Sequence, residues 1–286
     1  RRGFRGRRRA RAAAAADRHA ARAFGAAARD VLARARAQRL SQPARPELGC
    51  RQEFLLLRRS FDCPHMTTKE NELHSALIRH VAKRGFAPST QLLLEQLGWS
   101  EGELQGALKQ LAAIRGVILK PDSFDVWAIH PFTLMPTPTW VIAQTGAWWA
   151  NCAWCALGIG AALRQNIQVT SRVGAERDPI EFEIRDGRST DARLLIHFPF
   201  RPHEWWRNEY NPCGGILFFL SHSQVDDWCA RHGFPRGAVI DIRTGVDLAR
   251  EWFSGYLEPT WARKSADEAR RVFRSLGLSN EFWCGQ

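Results

Sequence analysis

The positive charge of this chain is confined to its first 65 residues, and this division indicates which part can fold around a core. The 286 residues include 41 Lys and Arg against 29 Asp and Glu. The first 65 residues contain 17 Arg and five acidic residues, whereas residues 66–286 contain 24 basic and 24 acidic residues. The net charge of +12 therefore belongs to the first segment. It gives no reason to expect that residues 66–286 bind nucleic acid.

Residues 1–65 have the Arg/Ala bias of a low-complexity sequence, and the first methionine is Met66. We predict that this segment is a basic extension that is disordered or not native. Three interpretations are open. It is a translated region upstream of a start at Met66, a basic and partly helical arm, or an Arg-rich targeting peptide.

The apolar and cysteine content predicts a cytoplasmic globular protein. Apolar residues make up 45% of the chain, which is enough for a hydrophobic core. The chain contains no run of 18 apolar residues, so we predict no membrane span. Seven cysteines, an odd number without a signal peptide, argue against a disulfide scaffold. We therefore expect reduced thiols and no membrane association.

Residues 66–130 are predicted to form a winged-helix-like domain of three helices and a β-hairpin. Ser or Thr caps followed by Glu, and glycines at the ends, mark the helix boundaries. The predicted helices begin near Thr67, Ser89 and Ser100, and the predicted strands are Val117–Leu119 and Phe124–Ile129. Acidic residues stand at the start of the third helix, where a recognition helix would approach phosphates. We therefore do not expect this domain to bind DNA.

Residues 131–286 are predicted to form the core domain, with an α+β fold and a mixed, mainly antiparallel sheet. The fold class follows because strands and helices do not alternate regularly. The predicted strands are Val141–Gln144, Ile180–Ile184, Ala192–Phe198, Gly215–Ser221 and Ala238–Ile242. The predicted helices are 151–164, Ser223–Arg231, Val246–Leu257 and Ala266–Leu276.

Cys152 and Cys155 lie at the start of the apolar helix predicted over 151–164. Residues i and i+3 share one helix face, and with Asn151 as N-cap the helix dipole would favour thiolates there. A zinc site is a weaker interpretation because no second ligand pair follows at metal spacing. A redox motif would need a βαβ unit. Burial of both cysteines as ordinary core residues is a further alternative.

Cys213 lies in the turn Asn211-Pro212-Cys213-Gly214-Gly215, whose glycines allow a ligand to come close. Its thiol would join the other two only if the fold brings this turn to the start of the helix. Cys229 is interpreted as a packing residue and Cys284 as incidental. Other candidates are His197, His203 and His222 as acids or ligands, and the pairs Trp148-Trp149 and Trp205-Trp206 as walls of a site or core residues.

Two of these cysteine segments resemble the organomercurial (alkylmercury) lyase family. Trp154-Cys155-Ala156-Leu157, at the start of an apolar helix, is similar to the family's first catalytic cysteine motif. Cys213, six residues before Phe219 in the run CGGILFF, is similar to the second. The stretch from Asp226 to Val239 is similar to the family's tryptophan-bearing helix and the strand after it. The order of elements extends the likeness over about residues 66–260.

The resemblance implies an enzyme that cleaves carbon–mercury bonds by protonolysis without a cofactor. Cys155 and Cys213 would hold the mercury as thiolates, since mercury is a soft metal. An acid would deliver a proton to the carbon. The implied partners are a small organomercurial substrate and cytosolic low-molecular-weight thiols, which would remove the Hg(II).

The chain departs from the family at Gly158, the position one turn after the first cysteine where the family usually has a proton-carrying Asp. Cys152, one turn before Cys155, is our candidate for that role. Two other functions stay open. One is a non-catalytic thiol-based protein that binds or senses mercury or another soft metal. The other is a transcription factor with a winged-helix head and a metal-sensing body.

Overall fold

A computed structural model of the chain describes residues 66–176, 178–205 and 212–285. The predictions for residues 1–65, for Trp206 and for Asn211 lie outside the described residues. None of the described helices is long and apolar enough to cross a membrane.

Helices form the first part of the described chain and begin and end close to the predicted residues. They are α1 (Thr68–Arg84), α2 (Thr90–Leu97) and α3 (Glu101–Ala113). Thr67 and Ser100 each form a capping box with the Glu three residues later, which satisfies backbone N–H groups at the helix start. Gly85 and Gly98 end α1 and α2 in the left-handed conformation, which glycine adopts without steric cost.

Eight of the described strands form one antiparallel sheet. They are β1 (Ile118–Leu119), β2 (Val126–Ile129), β3 (Phe132–Thr133), β4 (Trp140–Ala143), β5 (Gly146–Ala150), β6 (Ile167–Arg172), β7 (Pro179–Arg185) and β8 (Arg188–Ser189). Their order across the sheet is β1-β2-β3-β5-β4-β6-β7-β8. Because β2 pairs with β3, the predicted hairpin continues into the large sheet across residue 131. The winged-helix-like domain and the boundary there stay predictions.

Strand β6 was missing from the sequence prediction. Its buried face is formed by Ile167, Val169 and Ser171, and the other residues of the strand are exposed or half-buried. Only two of the three inward residues are apolar, so the alternation of apolar and polar residues was too weak to indicate a strand. The Ser171 hydroxyl forms a 2.8 Å hydrogen bond with the Thr139 hydroxyl. This bond satisfies the buried polar group.

A second antiparallel sheet has three strands, in the order β10-β9-β11 across the sheet. Its strands are β9 (Leu195–Phe198), β10 (Leu217–Phe219) and β11 (Ala238–Asp241). The remaining helices are α4 (Ala153–Leu163), α5 (His222–His232), α6 (Ile242–Phe253), α7 (Ala266–Ser275) and α8 (Glu281–Cys284). The α+β class with antiparallel sheets is thus confirmed.

Helix α6 begins four residues before the predicted start at Val246 and ends at Phe253 rather than Leu257. Asp241 is the reason for the early start, because its carboxylate accepts a hydrogen bond from the Thr244 backbone N–H at 2.7 Å. Asp is among the strongest N-cap residues. The strand β11 therefore leads directly into the helix.

Helix α4 is the central helix of the core. Eight consecutive residues, from Ala153 to Gly160, are buried, as expected for a helix that is apolar on all sides. It packs against α6, where Gly158 faces the ring of Phe253. The N-terminal end of α4 carries the cysteines of interest.

Candidate functional site: a cluster of three thiols and one imidazole

The ends of two paired strands place His130 and Asn151 side by side. In the β3–β5 pair, Phe132 lies opposite Ala150. His130 lies two residues before Phe132, and Asn151 directly follows Ala150, so both leave the sheet at the same edge. The Asn151 backbone N–H donates to the Pro131 carbonyl at 3.4 Å, which holds the two segments together beyond the strands.

Cys152 is the N-cap of α4, in place of the Asn151 expected from the sequence. Its sulfur accepts a hydrogen bond from the Cys155 backbone N–H at 3.3 Å. The next residue, Ala153, donates its backbone N–H to the Ile216 carbonyl at 3.0 Å. This bond brings the turn that carries Cys213 against the start of the helix. The juxtaposition on which the Cys213 prediction depended is therefore present.

Three potential metal ligands converge at this point. The Cys155 sulfur lies 3.8 Å from His130 Nδ1, and the Cys213 sulfur lies 3.9 Å from the same nitrogen. All three ligand atoms lie within 4.8 Å of one another. In the described part of the chain, no other group of three His, Cys or acidic residues meets this criterion. Thiolate sulfur and imidazole nitrogen are donors for soft and borderline metals.

The pKa values of the three thiols are shifted in different directions. Burial works to raise the pKa of Cys152, but hydrogen bonds from the Cys155 and Cys213 thiols and from the Cys155 backbone N–H outweigh burial and hold that pKa well below its usual value. Burial and the neighbouring Cys152 raise the pKa of Cys155. The hydrogen bond to Cys152 raises the pKa of Cys213. These shifts favour a free cluster with one thiolate, on Cys152, that accepts hydrogen bonds from two protonated thiols.

His130 presents an unprotonated nitrogen to the sulfurs. The Asn151 side-chain amide lies with Nδ2 at 3.2 Å from His130 Nδ1. Because an amide nitrogen only donates, Nδ1 accepts this bond. Burial lowers the pKa of His130, the charge on Cys152 opposes that effect, and Arg115 and Arg263 lower the pKa further. The neutral ring is therefore the stable form.

A cavity of about 100 Å³ opens onto the thiols of Cys155 and Cys213. Most of its surface is aromatic and apolar. The aromatic residues that line it are Trp154, Trp205, Trp252, Phe253, Tyr256 and Trp261. Burial raises the pKa of the Tyr256 phenol, so that hydroxyl keeps its proton. An engineered apolar cavity of about 150 Å³ takes benzene, so a small organic group fits this one.

Three cationic side chains also line the cavity: Arg115, Arg263 and Lys264. No carboxylate is found among the described residues that line it. Arg263 is fixed in place because its Nη1 donates to the Ile114 carbonyl at 2.5 Å. The approach to the thiols therefore has a positive potential.

Gly158 lies inside the α4–α6 contact, where a side chain has no room. A β-carbon built on Gly158 would lie 2.6 Å from Cδ2 of Phe253. Phe253 in turn lines the cavity. The aromatic ring therefore occupies the space that a side chain at this position would enter.

The other predicted candidates lie away from the cavity. None of His197, His203 and His222 is among its lining residues. The His197 imidazole and the Cys229 thiol are 3.7 Å apart in the buried core, in agreement with a packing role for Cys229. Cys284 donates to the Leu278 carbonyl at 3.4 Å.

The predicted aromatic pairs divide between core and cavity. Trp148 donates its indole N–H to the Val81 carbonyl in the core, whereas Trp205 lines the cavity. His130 is the functional candidate that the sequence analysis missed. Nothing in its local sequence marks it, because only the register of β3 and β5 places it among the cysteines.

An α+β fold with a thiol–imidazole cluster at the mouth of an aromatic cavity offers donors that suit a soft metal. Residues 132–254 of the chain match the family model described as alkylmercury lyase. The resemblance stated from the two cysteine segments is thereby confirmed. Cys155 and Cys213 lie within the matched residues, and His130 lies two residues before them.

A solved structure with a similar fold is described as the crystal structure of the mercury-bound form of MerB2. The two chains are 18% identical, and the superposition has a TM-score of 0.56. It covers 71% of this chain and 98% of the other. At this level of identity the likeness concerns the fold. No curated protein matches the chain.

Proposed function

We propose that this protein is an alkylmercury lyase-like enzyme that cleaves carbon–mercury bonds by protonolysis, with Cys155 and Cys213 as the mercury ligands. The observation that carries the proposal is the convergence of both sulfurs with His130 Nδ1 within 4.8 Å, at the mouth of an aromatic cavity. Thiolate sulfur is the donor that a soft metal prefers. The cavity takes the organic group and keeps water from it.

The proton is carried by Cys152 in this proposal. Its sulfur contacts both other thiols, and it has the lower pKa of the three. Cys155 first displaces a thiol from the incoming R–Hg–SR′, and its own proton leaves with that thiol. As the Cys213 sulfur then bonds to mercury, its proton passes to the Cys152 thiolate.

Cleavage returns the same proton to the substrate. The electron pair of the carbon–mercury bond takes the proton from the Cys152 thiol, and the hydrocarbon R–H leaves. Hg(II) stays on Cys155 and Cys213, while Cys152 is a thiolate again. Two external thiols then remove the metal as Hg(SR′)₂ and return a proton to each cysteine. In sum, R–Hg–SR′ and R′SH give R–H and Hg(SR′)₂. The reaction needs no cofactor, and its thiols are of the kind that a reducing cytoplasm contains.

Methane release from methylmercury tests the proposal directly. The full chain is incubated anaerobically with methylmercury and excess low-molecular-weight thiol, and methane is measured by gas chromatography. We expect catalytic release that disappears in Cys155→Ser and in Cys213→Ser, and that persists in the matched control Cys229→Ala. Methane at the rate of the thiol-only blank would overturn the assignment as an enzyme.

A second candidate function is a non-catalytic protein that binds or senses mercury. The observation that favours it is Gly158, where a carboxylate is absent and Phe253 fills the space. The same experiment separates the two functions. Stoichiometric binding of methylmercury by Cys155 and Cys213, without methane, supports the binding protein.

A further inference from the structure

We propose that His130 Nδ1 is a third mercury ligand, which joins Cys155 and Cys213 around the Hg(II) that remains after cleavage. The proposal rests on the function proposed above. It adds a neutral nitrogen donor to the two sulfurs and assigns a role to the imidazole.

The position of His130 places one ring nitrogen close to both sulfurs. His130 Nδ1 is nearly equidistant from the two sulfurs, at 3.8 Å from Cys155 and 3.9 Å from Cys213. A metal ion held between two sulfurs that share one imidazole neighbour therefore also faces that nitrogen. Small adjustments of the three side chains bring all ligand atoms to bonding distance, because each atom already lies within 4.8 Å of the others.

The tautomer of His130 leaves a lone pair free for the metal. Asn151 Nδ2 donates to His130 Nδ1 at 3.2 Å, so the ring carries its proton on Nε2 and its lone pair on Nδ1. That lone pair faces the sulfurs. The bond to mercury uses it directly, so no proton is released from the ring when the metal binds.

Asn151 can release His130 Nδ1 to the metal without losing its own hydrogen-bond acceptor. The same amide also forms a hydrogen bond with the Cys213 sulfur. When mercury takes the Nδ1 lone pair, the amide N–H keeps that second acceptor. Asn151 thus orients the imidazole before the metal arrives, as groups that support a metal ligand commonly do, and it is a positioning residue rather than a ligand.

Nuclear magnetic resonance of the unmodified protein provides the main test, because it does not depend on whether a variant folds. The full chain, labelled with ¹⁵N in its histidines, is titrated with inorganic Hg(II). We expect the Nδ1 resonance of His130 to move strongly at one equivalent while Nε2 keeps its proton, and the other histidines to stay unchanged. An unmoved Nδ1 resonance with Hg(II) bound to the thiols would overturn the proposal.

Competition with a chelating dithiol measures the effect of the nitrogen on affinity. We expect His130→Ala to hold Hg(II) about 10–100-fold more weakly than the unmodified protein, the range seen when a metal site loses a supporting group. His222→Ala, which removes an exposed histidine on α5, is the matched control and should bind as the unmodified protein does. Equal affinity in a folded His130→Ala variant would count against the third ligand.

The outcomes also separate this proposal from the proposed function. If Hg(II) binding does not depend on Cys155 and Cys213, both proposals fail. If binding needs both cysteines and methane is released, but His130 Nδ1 does not respond, only the third ligand is wrong.

Discussion

At the scale of single residues, Cys152 makes two kinds of interaction that both favour its thiolate form. As the N-cap of α4 it accepts a hydrogen bond from a backbone N–H, and as a neighbour of Cys155 and Cys213 it accepts hydrogen bonds from their thiols. Both interactions favour the thiolate form, because hydrogen bonds to a charged form lower its pKa. Serine is a preferred N-cap residue, so capping alone does not require a thiol at this position.

Replacing Cys152 tests its role as proton carrier. In Cys152→Ala we expect methane release to fall about 10²–10⁴-fold, the usual contribution of a general acid, because no group then returns a proton to the carbon. Binding of Hg(II) to Cys155 and Cys213 should continue. The measurements are methane release by chromatography and Hg(II) stoichiometry in the same samples.

The control for this variant is Cys229→Ala, which removes a buried thiol outside the cavity. The thiolate absorbance in the far ultraviolet at neutral pH should be lost in Cys152→Ala and kept in the control. Unchanged methane release in a folded Cys152→Ala variant would rule out Cys152 as the proton carrier.

At the scale of elements, the register of two short strands decides the composition of the site. The β3–β5 pair sets Phe132 opposite Ala150, and this alignment places His130 beside Asn151. A shift of one residue would turn every side chain of a strand to the other face. The imidazole and the amide therefore meet at the thiols only in the observed register.

The contact of α4 with α6 leads to a prediction about stability. Gly158→Ala places a methyl group 2.6 Å from the Phe253 ring, and overpacking of this kind costs about 1–3 kcal/mol. We expect the free energy of unfolding, measured by denaturant titration, to fall by that amount. The Phe253 ring would also be pushed toward the cavity that it lines.

The matched control is Gly106→Ala in α3, which is exposed and has nothing within 4 Å of an added β-carbon. This change should stabilise the protein by roughly 0.5–1 kcal/mol, since alanine favours a helix interior over glycine. A Gly158→Ala variant as stable as the unmodified protein would show that the helices can move apart.

At the scale of the whole molecule, the distribution of charge around the cavity favours one kind of thiol. Arg115, Arg263 and Lys264 line the cavity without a carboxylate among its described lining residues. Positive potential at a site raises the rate of association with anions and is weakened by salt. An anionic thiol is therefore the expected partner for the removal of Hg(II).

Release of bound Hg(II) by thiols of different charge tests this expectation. We expect mercaptosuccinate to remove Hg(II) about tenfold or more faster than cysteamine at low salt, and the difference to shrink as salt is added. Arg115→Gln should reduce the preference. Arg164→Gln is the control because Arg164 is also an arginine at positive φ, is exposed, and pairs with Glu258 outside the cavity. Equal rates for the two thiols would contradict the prediction.

Much of the fold could be predicted from the sequence because its signals are local. The helix boundaries at Thr67, Gly85, Gly98 and Ser100 follow from capping chemistry that involves residues three or four positions apart. The apolar helix after Cys152 and the α+β class were likewise evident. Strand β6 was not predicted because its inward face includes the polar residue Ser171. Burial of that hydroxyl is explained only by its hydrogen bond with Thr139, which the fold places beside it.

The sequence by itself determined that Cys152 and Cys155 stand one helical turn apart and that Cys213 precedes an apolar strand, since both follow from position along the chain. The tertiary structure alone decided that these thiols meet, that Cys152 rather than Asn151 caps the helix, and that His130 completes the cluster. The physical reason is the difference in sequence separation between the interacting residues. Helix periodicity and capping act over a few residues, whereas the site depends on the β3–β5 register and on the bond from Ala153 to Ile216, which join residues far apart in the chain.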